Sequence, residues 1–396
     1  MRILPRFLVF SLALVLCAGP ASTALSMQGK KLPEPLNSIL TGLLQQVGKD
    51  APPTFEPQQT AALLAFVVSD KNPDTIYHPS EIKKTSSSYY PFEINCSMER
   101  LLGYAYNDAI PPQAMSPSSL RTAYRLKATD GESDHWHWRL PADEAPQIIR
   151  FTEHEEITPD LFTGAYYGYD VDRTLILYRY HGHNVFLSLS KQRDVSEVGK
   201  KGTSLGGEED WDYLYSGETG LSKPGLGWVR SYIYDSFSVT VFYETDAKNP
   251  MLQCGTFKWL NAGWAKVNMV QSKHIFRGLQ RYADDLKKIL ENRKLPDHQR
   301  LADGFSVLRQ LNRKALHFYL SEYLETLTRQ YANSKALSRH IFKDLLDPEK
   351  SVKLPDLPEM RAIFELEYLK AMLGKQSKLP GLASLVQPFS VSSKDF

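Results

Sequence analysis

Between Trp228 and Glu291 the hydrophobic period of the chain changes from two to 3.6, and that change limits what the chain can fold into. Val229, Ser231 and Ile233 alternate with Arg230, Tyr232 and Tyr234; after a turn at Asp235-Ser236, Phe237, Val239, Val241 and Tyr243 alternate with Ser238, Thr240 and Phe242. Such alternation marks half-buried antiparallel strands. A third strand, Leu252 to Trp259, leads into a corner at Asn261-Ala-Gly-Trp264. From Ser272 the apolar positions Ile275, Leu279, Tyr282, Leu286 and Ile289 fall on one helical stripe. A sheet that runs into such a helix buries the stripe most simply against its own concave face.

The chain has 396 residues, enough for two or three domains at roughly 150 residues each. With 42% hydrophobic and 23% charged residues it can build a sizeable core. Its start reads as a targeting segment. Arg2 and Arg6 precede an apolar run of ten residues, Phe7 to Leu16, and Ala18 to Ala24 supplies small residues for cleavage. A bilayer span needs about 20 apolar residues, so the run predicts a cleaved secretory signal over 1–24 and a periplasmic or extracellular location. Lipoprotein anchoring through Cys17 is the alternative, disfavoured by the bulky Leu16 before it. No later stretch has the length of a membrane helix.

The formal charge is +2, and falls to 0 without Arg2 and Arg6. Residues 272–396 hold 22 Lys and Arg against 15 Asp and Glu, so the C-terminal half is basic. That balance allows contact with an anionic membrane surface or an acidic protein partner. Without a basic-aromatic repeat, and with export expected, nucleic acid is excluded as a partner. Cys96 and Cys254 remain after cleavage, and export allows a disulfide between them or two buried thiols. A bridge closing so long a loop contributes on the order of 4–5 kcal/mol.

Residues 25–90 read as an N-terminal arm with short helices at Leu36–Val47 and Pro57–Val68, then a polar loop from Lys71 to Ser88. Phe92, Ile94 and Cys96 alternate as a strand, and Ser97 caps a helix to Tyr106. Strands are expected over Arg121–Lys127, His135–Leu140, Gln147–Ile157 and Ala165–Tyr169. Arg173–Tyr180 and Val185–Ser190 form a hairpin about the turn His181-Gly-His-Asn184. Residues 192–225 read as a long, glycine-rich surface loop with one strand at Trp211–Tyr215. Beyond Glu291 the pattern is helical: Asp297 to about Tyr331, Ser334 to Leu346, and Pro358 to Leu373, closed by Gly374. A Ser/Pro/Lys-rich tail follows.

Histidines supply the sharpest chemical candidates. His135 and His137 share one face of a strand, and with His154 and Glu155 they could hold a metal; Trp136 and Trp138 make the same run an ordinary strand with a buried tryptophan side. Val198-Gly-Lys-Lys-Gly-Thr-Ser204 lacks P-loop spacing and reads as a basic loop. No Gly-x-Ser-x-Gly elbow occurs, no motif implies a cofactor, and Asp210, Asp212 and Glu218 are carboxylates with no visible partner. Many of the 21 Tyr, 18 Phe and 6 Trp lie on the strands of residues 165–264, where inward-facing aromatics line either an apolar cavity or a packed core.

The order of strands, then Phe257-Lys-Trp-Leu-Asn-Ala-Gly-Trp264, then Val270-Gln-Ser-Lys-His-Ile-Phe-Arg-Gly-Leu279 on a long helix, resembles the closing part of START-like proteins. The resemblance covers about residues 92–291. It implies a helix-grip fold, a bent antiparallel sheet around a C-terminal helix, enclosing a hydrophobic ligand. The helical extension after 291 and an exported location depart from that family.

The expectation is an α+β protein: a curved antiparallel sheet over 91–291 gripping its helix, a helical domain over 292–375, and a flexible tail over 376–396. Its function is read as non-catalytic binding of an apolar or lipid-like ligand, with Leu187, Leu189, Tyr232, Val239, Val241 and Trp259 as lining. The alternatives are a membrane- or protein-docking module acting through the basic helical half, and a metal-dependent enzyme using His135, His137, His154 and Glu155.

Overall fold

A computed structural model describes residues 29–70, 72, 75–126, 138–141, 145–159, 164–223, 227–245, 249–334 and 357–382. The signal-like start, Cys17, His135, His137, the helix expected from Ser334 and most of the tail lie outside them. The chain begins with β1 (Lys30–Lys31), α1 (Glu34–Gln45), α2 (Ala61–Ser69), β2 (Tyr77–His78) and β3 (Ser86–Ile94). Next come α3 (Met98–Ala105), β4 (Leu120–Arg125), β5 (Gln147–Ile157), β6 (Ala165–Tyr166), β7 (Gly168–Tyr180) and β8 (His183–Gln192). Then follow β9 (Lys200–Leu205), β10 (Asp212–Thr219), β11 (Leu221–Lys223), β12 (Gly227–Val229), β13 (Tyr232–Glu244), β14 (Leu252–Trp264) and β15 (Val267–Asn268). The helices α4 (Ser272–Leu290), α5 (His298–Gln310), α6 (Arg313–Tyr331) and α7 (Leu357–Met372) complete the α+β architecture.

One large mixed sheet organises these elements in the order β1-β2-β3-β14-β13-β8-β7-β5-β4, with β15 on β14. Only β1 and β2 run parallel. Because strand side chains alternate, the sheet presents two faces, and helices cover both. On one face Tyr89, Ile176, Tyr178, Leu187, Val239 and Phe257 pack against Leu36, Leu40 and Leu43 of α1 and Leu63, Leu64 and Val67 of α2. The N-terminal arm is therefore the lid of this layer. On the other face Leu177, Phe186, Phe242 and Cys254 join Leu286, Ile289 and Leu290 of α4. Phe305, Leu320 and Phe364 of the later helices belong to that same cluster, so the C-terminal helices share the sheet's core.

Local chemistry explains several boundaries. Ser97 accepts a hydrogen bond from the Arg100 amide and caps α3. Asp297 and Asn312 cap α5 and α6 in the same way. The β7–β8 hairpin turns on His181 and Gly182, both at positive φ (47° and 85°), the geometry of a two-residue primed turn. Asn184 lies beyond the turn and donates to Glu244 instead.

The chain departs from the sequence reading in several places: β2 and the start of β3 fall in the expected loop over Lys71–Ser88, and Trp138–Leu140 are not strand. The expected turn at Asp235-Ser236 is a bulge inside one continuous strand, β13, between Ile233 and Asp235. Asp235 is held there by Lys83 and Ser236 by Lys258, which satisfies polar groups that otherwise signal a turn. The 192–225 stretch forms β9 and β10, which join β6 in a three-stranded sheet. Its glycines serve close approach: Gly202 donates to the Gly164 carbonyl at 2.7 Å, and a Cβ there would strike Pro159. Finally, the corner at Asn261–Trp264 is strand, and the reversal falls on Ala265 and Lys266, both at positive φ, before β15.

Candidate functional site

A cavity of about 450 Å3 lies between the α4 face of the sheet and the helices that cover it. Four parts of the fold build it. From the sheet come Ala123, Arg125, Phe151, Glu153, Arg173 and Leu175 on β4, β5 and β7. Tyr106 ends α3, and a short 3-10 turn at Pro112–Ala114 brings in Gln113. Tyr282 and Leu286 reach in from α4, and Arg361 and Glu365 from α7. The mouth is marked by Tyr124, 44% exposed, and by the half-exposed side chain of Arg309.

The inner end is charged. Arg173 donates from Nη2 to Glu155 at 2.5 Å and from Nε to Glu153, and its Nη1 reaches the Ser188 hydroxyl at 3.2 Å. Both glutamates are buried, so one guanidinium faces two carboxylates away from water. Burial, partly offset by Arg173 and reinforced by the Glu155 charge, pushes Glu153 up to about 7. The same two carboxylates hold Arg173 firmly cationic despite its burial. Tyr106 and Tyr282 are hydrogen-bonded to each other, and burial raises both phenols. At this end the wall thus offers a guanidinium, a carboxyl that titrates near neutrality and two phenols.

The walls between are apolar. Phe151, Leu175 and Leu286 face the space, and the Arg125 guanidinium covers the Phe151 ring at 4.8 Å. Tyr106 is wedged against Phe186, with ring centroids 4.4 Å apart. Toward the mouth, Gln113 donates to Glu365 at 2.7 Å and Arg309 pairs with it at 3.5 Å. Burial raises the Glu365 carboxyl, against the pull of these partners.

Beyond Arg173 the polar character continues along the sheet. Registered neighbours Ser190 and Ser238 share a hydrogen bond of 2.6 Å, Thr256 bonds Thr240, and Lys258 donates to Ser236 at 2.8 Å. Burial pulls the Lys258 ammonium down. Ser88, the cross-strand partner of Lys258, is fully buried with an unpartnered hydroxyl.

The residues expected to line a pocket lie elsewhere. Leu187, Leu189, Val239, Val241 and Trp259 sit at 0–1% exposure in the layer under α1 and α2, and none borders the cavity. Tyr232 stands half-buried at the start of β13 with its ring 6.1 Å from that of Tyr234. His154 and Glu155, adjacent on β5, point to opposite faces: His154 meets Asp170 at 2.7 Å, Glu155 meets Arg173. Among the described residues no group of three or more His, Cys, Asp or Glu is placed to hold a metal ion. Cys96 and Cys254 are free, buried thiols in one core cluster, and burial pushes Cys96 up to about 12. Asp212 is bound by Lys370 and Lys378, and Glu218 by Lys201.

Sequence reasoning missed Tyr106, Glu153, Arg173 and Tyr282. One signal was present. The strand face carrying Ser188, Ser190, Ser238, Thr240 and Thr256 has short hydroxyl side chains where a solvated face would carry Lys and Glu. No family model matches the chain, and no curated protein matches it.

Proposed function

We propose that this protein binds a small amphipathic molecule in the cavity between its sheet and helix α4. One observation carries the reading: a cavity of about 450 Å3 has aromatic and aliphatic walls and a cluster of convergent polar groups at one end. Sites for small ligands have that size and that division of labour. The apolar body of the ligand lies along Phe151, Leu175 and Leu286, and its head meets Glu153, Arg173, Tyr106 and Tyr282. The polar end narrows the apolar or lipid-like ligand expected from the sequence to one with a hydrogen-bonding head.

The packing of α4 against β3 and β14, with its apolar stripe buried on the sheet, supports a helix-grip arrangement and with it the START-like resemblance. The basic and then apolar start of the sequence supports an exported location.

A titration of the full chain with decanol, decanoate and decylamine tests the proposal, with and without Ala105→Phe. Ala105 is half-buried at the cavity wall, so the larger side chain occupies ligand space. The expected result is saturable binding of at least one amphiphile that Ala105→Phe abolishes while the thermal transition remains cooperative. Binding that the variant leaves unchanged would place the ligand elsewhere and end the proposal.

A further inference from the structure

We infer that the sheet end formed by the β14–β15 reversal is a docking surface for an anionic lipid bilayer. The observations are independent of the cavity. Val267 and Met269, 59% and 47% exposed, are among the most exposed large apolar side chains of the described residues. They stand beside an aromatic group: Tyr232 and Tyr234 lie with ring centroids 6.1 Å apart, and the Tyr234 hydroxyl accepts from the Lys266 amide at 2.9 Å. The neighbouring 82–86 segment is tied to the same tip, because Asn268 donates to the Lys84 carbonyl at 3.1 Å. Exposed apolar groups, half-buried tyrosines and the half-buried Trp264 therefore share one end of the molecule.

Cations outnumber acids at that end. Lys83, Lys84, Arg230, Lys266, Lys273 and Arg277 are exposed around it. No carboxylate occurs from residue 252 to residue 283. The acids near these cations are Asp235, paired to Lys83 at 3.3 Å, the exposed Glu81, and Asp194 and Glu197, which flank the Ser196 bonded to Ile233. A protein partner would need an acidic surface with an apolar centre. An anionic bilayer presents both at once: its headgroups take the cations, and Val267 and Met269 enter the headgroup–acyl boundary with tyrosines at the interface. Each Lys or Arg near such a surface contributes about 1 kcal/mol.

Sedimentation of the full chain with vesicles tests this, using phosphatidylcholine alone and phosphatidylcholine with phosphatidylglycerol. Binding is expected only to the anionic vesicles and weakens as salt rises. Two surface variants keep the test separate from folding. Lys84→Gln/Lys266→Gln should weaken binding about thirtyfold, from two lost charges. Val267→Ser/Met269→Ser should remove the blue shift of tryptophan emission that insertion near Trp264 produces. Equal sedimentation with both vesicle types, or variants that bind as the wild type does, overturns the inference. So does self-association that Val267→Ser/Met269→Ser abolishes, in a protein that ignores vesicles: the tip would then face a second copy of the chain.

Discussion

Arg173 on β7 reaches across to β5 and donates to Glu155 at 2.5 Å while its Nε holds Glu153, so a single buried cation serves two buried carboxylates. Burial, reinforced by the neighbouring Glu155 charge and only partly offset by Arg173, is what keeps a proton on Glu153 toward neutrality.

Stability should depend on pH through Glu153. Its folded value, about 7, stands above the ordinary 4.5, so the folded protein keeps a proton that the unfolded chain has already lost between those values. Stability therefore falls as pH rises from about 4.5 to about 7, by an amount on the order of a few kcal/mol. Glu153→Gln has nothing to titrate, so its stability relative to wild type should climb across that window and level off above it. Urea melts at the two ends of the window measure the difference; parallel pH dependences would remove Glu153 as the titrating group.

Leu187 separates the two layers of the fold. It is fully buried beneath α1 and α2 and touches no wall of the cavity. Leu187→Ala should cost about 2–5 kcal/mol and leave amphiphile affinity unchanged. Leu175→Ala, at the cavity wall, should alter affinity as well. Chemical denaturation and calorimetric titration of both variants distinguish the layers, and a Leu187→Ala protein that loses affinity would contradict the placement.

Lys370 should be the most sensitive position of α7. Its ammonium lies between Asp212 at 2.6 Å and Glu367 at 2.7 Å, with all three side chains almost fully buried. Lys378 also binds Asp212, at 3.0 Å, and the Tyr331 hydroxyl donates to it at 2.5 Å. Lys370→Met leaves two buried carboxylates short of a cation and should cost about 3–5 kcal/mol. Adding Asp212→Asn should recover part of that loss. A double variant no more stable than the single one would show that the pair is not coupled.

What was legible in the sequence was whatever local period encodes. The 3.6-residue stripe of α4, the β7–β8 hairpin and the Ser97 cap follow from neighbours in the chain. The faces of the sheet were not legible in this way. Leu187 and Val239 alternate with Ser188 and Thr240, and alternation alone makes the apolar side the inside. Here both sides are inside, because α1 and α2 arrive from far up the chain to close one and α4 closes the other. The site was hidden for a related reason. Glu153 and Arg173 are twenty residues apart, and Tyr106 and Tyr282 far more, so their meeting depends on strand order and not on spacing.

The most direct test of the binding account is native mass spectrometry of the full chain, purified gently from its own host and followed by solvent extraction. The account predicts one bound amphipathic molecule per chain, lost on denaturation and absent from Ala105→Phe. A wild-type protein that carries nothing, and whose mass and thermal transition stay unchanged after incubation with the amphiphile panel, would contradict it.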